Sequence, residues 1–81
     1  VYERDTGSQS RDIWASDTDG NVVWLGYIAR NYVEDVGFMW QAYRSAAGPE
    51  IYPTNAVLSE GEPEDTPDEA EHNLLLRFGF L

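Results

Sequence analysis

The chain has no cysteine and no lysine, one histidine, one methionine and no long uninterrupted apolar run. Each absence removes a class of chemistry. Without cysteine no disulfide reinforces the fold, and no thiolate can hold a metal or act as a nucleophile. The compartment expected from this is cytoplasmic or otherwise intracellular. Without lysine, Schiff-base catalysis and the lysine of a phosphate-binding loop are unavailable. All bases are arginines (Arg4, Arg11, Arg30, Arg44, Arg77). An arginine-biased genome explains this better than adaptation to high salt, because large apolar side chains remain plentiful. No stretch approaches the roughly 18 apolar residues of a membrane span. The first residues do not have the basic-then-apolar layout of a secretory leader, and Val1 in place of methionine reads as a trimmed end.

What is present is acid. Fifteen acids against five bases give 81 residues a net charge of −10. Such a charge repels nucleic-acid phosphates and anionic membranes, so neither is expected as a direct partner. The length holds one domain, 1–81. A domain this small buries roughly 60% of its unfolded surface, which makes for a thin core. The 42% apolar and 14% aromatic content supplies it.

Local patterns predict the elements. Asp19-Gly20 between β-rich runs predicts a type I′ hairpin turn. Pairing outward from it sets Trp14 opposite Leu25, Ser16 opposite Val23 and Asp12 opposite Tyr27, with Ile13, Ala15, Val22, Trp24 and Gly26 on the other face. Tyr2-Glu3-Arg4 reads as a short edge strand, and Thr6 to Ser10 as a polar loop. Residues 31–48 fit two patterns. Asn31 with Glu34 makes a capping box for a helix, whereas Val36, Phe38, Trp40 and Ala42 alternate as a strand does. A third meander strand over about 37–45 is the favoured reading. Pro53 confines Ile51 to Leu58 to an edge. Residues 59–66 read as an acidic loop. Thr66 then caps a helix over 67–78, with Pro67 first and Asp68 and Glu69 on the positive end of its dipole. Ala70, Leu74, Phe78 and Leu81 share a face of it, with Leu75 alongside. The expected fold is α+β: a small antiparallel sheet of three to four strands with a C-terminal helix packed on it.

Most chemical motifs fail on inspection. Asp17-Thr18-Asp19-Gly20-Asn21 resembles a calcium loop, but aligning Gly20 to the loop glycine puts Ala15 and Gly26 at ligand positions. His72 with Asp68 one turn earlier could chelate a metal, yet two ligands do not make a site. No nucleophile-elbow spacing exists, and so small a fold rarely holds an enzyme's pocket. Neither an enzyme nor a cofactor is expected. Trp14, Trp24, Trp40, Tyr27 and Tyr43 could form a base-stacking platform, but that needs a basic surround, so packing is the better account.

The remaining feature is a run of acids without a base: Glu60, Glu62, Glu64, Asp65, Asp68, Glu69 and Glu71. Fully extended, these twelve residues span roughly 40 Å. The plain reading is a solubilising surface. The functional reading is a docking strip for a basic protein surface, such as that of a nucleic-acid-binding protein, where carboxylates collect arginine contacts otherwise made to phosphates. The expected function is therefore a non-enzymatic interaction module of nucleic-acid-mimic or inhibitor type. Composition alone suggests the analogy with phage inhibitors and a place inside an infected host cell. The alternatives are a structural domain that forms homo-oligomers and, third, a metal-binding domain around Asp68 and His72.

Overall fold

The computed structural model describes residues 2–7, 10–53 and 56–80. Among these, five strands precede one helix: β1 (Tyr2–Gly7), β2 (Ser10–Ser16), β3 (Val22–Val33), β4 (Gly37–Ser45), β5 (Val57–Glu64) and α1 (Pro67–Arg77). The strands pair in sequence order, each antiparallel to the next. An up-and-down meander of this kind needs only short connections between neighbours. The helix packs on β3, β4 and β5. The α+β class is as the sequence predicts, with β5 added as a fifth strand. Among the described residues, no helix is long and apolar enough to cross a membrane.

The first hairpin forms where expected, but its turn and register differ. Gly20 has a positive φ of 86°, whereas Asp19 does not, so the type I′ turn is not made. The Asp17 carboxylate explains this, because its Oδ1 accepts from Asp19 N and Asn21 N, both at 2.9 Å. That side-chain turn competes with the tighter hairpin. Asp12 faces Tyr27 as predicted, but Trp14 faces Trp24 and Ser16 faces Val22. One residue, Leu25, is extra on β3 between these two registers. Such a bulge reverses the alternation of side chains. It turns Val23 and Leu25 into the core with Ile13 and Ala15, in place of Val22 and Trp24. Trp24 is still buried, outside that cluster, and its indole Nε1 donates to Asp12 Oδ1 at 3.3 Å. The backbone of Glu50 pairs with that of Trp24. Gly26 closes the bulge against β4, with φ of 150° and no room for a Cβ beside the Tyr43 carbonyl.

Residues 31–48 contain no helix. Strand β3 runs to Val33 and β4 covers Gly37–Ser45, the favoured reading. Tyr2-Glu3-Arg4 does lie in an edge strand, β1. Of the polar loop expected at 6–10, Thr6 and Gly7 instead end β1 and Ser10 begins β2, and residues 8–9 lie outside the described residues. The loop expected at 59–66 is replaced through Glu64 by edge strand β5. The helix begins as predicted, at Pro67 with Thr66 as its cap, and ends one residue early with Phe78 as C-cap. Ala70, Leu74 and Leu75 close the core over Ile13, Ala15, Val23, Leu25, Ile28 and Ala42, with Trp40, Phe78 and Phe80 packed alongside. Leu81, expected on the helix's apolar face, lies outside the described residues.

Candidate functional site

The acidic run occupies the corner where β5 turns into α1. A proline and a glycine sit inside β5 because the strand swells there. Glu64 pairs with Trp40 and Glu60 with Ala42, so Gly61-Glu62-Pro63 stand opposite Gln41 alone. Edge bulges are where a strand tolerates proline, which cannot donate to the ladder. Gly61 supplies the positive φ of 75°. The Gln41 amide replaces the lost ladder bonds, with Nε2 donating to the carbonyls of Glu60 at 3.2 Å and Gly61 at 3.1 Å. Gly61 also abuts Asn73 on the helix, where a Cβ would stand 2.6 Å from Nδ2. Strand and helix are thereby held in register.

The helix start is equally determined. Thr66 Oγ1 accepts from Glu69 N at 3.3 Å, the N-cap bond that satisfies one open N–H of the first turn. Asp68 and Glu69 lie in the first turn, where the exposed N–H groups favour negative charge. Between the strand end and this turn lies an open groove of about 330 Å³, lined by Glu64, Asp68, Glu69, His72 and Asn73. The Glu64 carboxyl comes within hydrogen-bonding reach of that of Glu69. That contact, partial desolvation and the charges of Glu64 and Asp65 raise the Glu69 pKa above the ordinary glutamate value. The amide Nδ2 of Asn73 is buried without a hydrogen-bond partner.

The seven acids therefore do not act as one evenly spaced strip. Glu64, Asp68 and Glu69 converge on the groove, and Asp65 adds its charge beside Glu69. Glu62 stands exposed on the bulge. Glu60 is drawn back onto the sheet, where its Oε2 lies 3.1 Å from Arg44 Nε with both side chains largely buried. Glu71 is half-buried and outside the groove lining. Extension over roughly 40 Å is replaced by a strand and a helical turn, which rises only about 1.5 Å per residue and so concentrates the charge.

Sequence reasoning missed Asn73 and weighed His72 as a metal ligand or catalytic imidazole, not as part of this groove. Both follow Glu69 and Asp68 by one helical turn, the spacing that places side chains on a common face. Among the described residues, no three of His, Asp and Glu come together as a metal's ligand set. The aromatics are committed internally. Tyr27 and Tyr43 stack with ring centroids 5.0 Å apart, and Asn31 Nδ2 donates to the Tyr43 hydroxyl at 2.7 Å. Burial and the neighbouring Tyr43 push the Tyr27 pKa up. Trp40 lies under the Arg11 guanidinium, 5.7 Å from the ring centre. Comparison with protein-family models, curated proteins and solved structures finds no match to this chain.

Proposed function

We propose that the chain is a non-enzymatic interaction module whose β5–α1 corner docks on a basic protein surface, of the kind that otherwise receives nucleic-acid phosphates. One observation carries this reading: Glu64, Asp68 and Glu69 converge on one open groove, on elements fixed by a bulge and a cap. A merely solubilising surface gains nothing from such crowding, because like charges repel. An arriving guanidinium relieves the repulsion and can bind two carboxylate oxygens at once. Exposed Glu62, Asp65 and Asp68 extend the negative field around the groove and speed the encounter.

The reading is tested with an eight-arginine peptide as probe, titrated into the intact chain at low and moderate salt. Affinity should fall on the order of tenfold across the Debye-screening range. It should also rise with pH as Glu69 loses its proton, since binding favours the ionised pair. The combined variant Glu62→Arg, Glu64→Arg, Asp65→Arg should keep its circular dichroism spectrum and lose the peptide. Equal affinity in the variant and the parent would remove the site from consideration.

A further inference from the structure

The far end of the β3–β4 hairpin carries a second surface, independent of the acidic corner. By register, Arg30 faces Trp40 and Tyr32 faces Phe38, on the sheet face that Ile28 and Ala42 bury beneath the helix. Here the face is bare: Tyr32 is 67% exposed and Phe38 54%. The three side chains are nevertheless organised. The Arg30 guanidinium lies 4.5 Å from the Phe38 ring centre, and Tyr32 meets the same ring edge-on at 5.5 Å. At the tip, Val36 N donates to Val33 O at 3.1 Å, which places exposed Glu34 and Asp35 in the turn. Asp35 takes a positive φ of 67°.

Along this face the order is cation, aromatic pair, acids. Arg30 lies two residues before Tyr32, about 7 Å back along β3, and Glu34 and Asp35 stand in the turn just past the strand's other end. A twofold axis through the Tyr32–Phe38 pair would reverse that order in a second molecule. Arg30 of one copy then meets Glu34 and Asp35 of the other, twice, with the aromatics stacked at the centre. A purely basic or purely acidic partner would match only half of the surface. We infer that this hairpin end is a homodimer contact of isologous type. Its small area makes the dimer a weak one, with a dissociation constant of roughly 10 μM to 1 mM.

Sedimentation equilibrium of the intact chain across that concentration range, at ~0.15 M salt, should give a monomer–dimer equilibrium. Arg30→Glu alone and Glu34→Arg alone should each weaken it at least about tenfold, because each places like charges opposite one another. Mixing these two variants should restore dimers, since both cross-contacts then pair opposite charges. Tyr32→Ser with Phe38→Ser should give monomer throughout, with an unchanged circular dichroism spectrum. A monomer at every concentration would overturn the inference. So would a dimer indifferent to these substitutions, no recovery in the mixture, or a mass that keeps growing past two copies.

Discussion

The two halves of β3 lie in one continuous strand, yet they meet opposite fates. From Val23 to Ile28 only Tyr27 is not buried, whereas nothing from Ala29 to Val33 is buried. The difference is one of cover. Strand β3 has 12 residues, about 40 Å of extended chain, while α1 has 11 residues, about 16 Å of helix. The helix roofs one end of the sheet and leaves the other bare. Apolar side chains alone do not secure burial. Tyr32 and Phe38 are as able to fill a core as Trp24 and Leu25, but no element reaches them.

The comparison can be broken most severely at Gly26, beneath the roof. A side chain there would collide with the Tyr43 carbonyl, at 2.0 Å for Cβ, and would take an unfavourable backbone angle. Gly26→Val should cost about 4 kcal/mol or more, enough to unfold a domain this small. Loss of a cooperative thermal transition is the check. Next comes Leu25→Ala, which empties a fully buried position and should cost about 2–5 kcal/mol by urea denaturation. On the bare half, Phe38→Ser should change the same midpoint by no more than about 0.5 kcal/mol at concentrations where the chain is monomeric. A cost there as large as that of Leu25→Ala would mean that the bare half is covered after all.

The smallest effect concerns the edge of the roof. Folding raises the Glu69 pKa, so the folded chain binds this proton more tightly than the unfolded one. The contribution is present below the ordinary glutamate pKa and is lost as pH rises through the raised value. Stability should therefore decline slightly just above the ordinary glutamate range, and Glu69→Gln should flatten that decline. Glu69 is solvent-exposed, so added salt should shrink it further. Melting curves collected across that pH range would detect it.

How much of this was legible in the sequence depends on how local the cause is. The helix start was fully legible, because Thr66, Pro67, Asp68 and Glu69 act within one turn of each other. Strand β4 was legible only as the favoured of two patterns, since the alternation from Val36 to Ala42 competed with a capping box at Asn31 and Glu34. The Leu25 bulge was not. A strict period of two follows from an unbroken ladder, and the extra residue belongs to the packing of β3 between β2 and β4. Strand β5 was hidden for a similar reason. Gly61 and Pro63 are poor strand residues by propensity, and only Gln41 across the ladder makes them tolerable. At the candidate site the acids were evident, but their sorting was not. Glu60 is withdrawn by Arg44, sixteen positions earlier in the chain and brought beside it only by the β4–β5 pairing.

The proposal that the acidic corner receives cations is tested most directly by residue-resolved NMR. Chain labelled with ¹⁵N and ¹³C would be titrated with the eight-arginine peptide, following every backbone amide and the Glu64 and Glu69 side-chain carboxyl carbons. The account predicts that shifts concentrate at Glu62, Glu64, Asp65, Asp68 and Glu69, and that the raised Glu69 pKa falls on saturation. Shifts spread evenly over the other surface acids, Asp17, Asp19, Glu34 and Asp35 included, with the Glu69 titration unmoved, would contradict it.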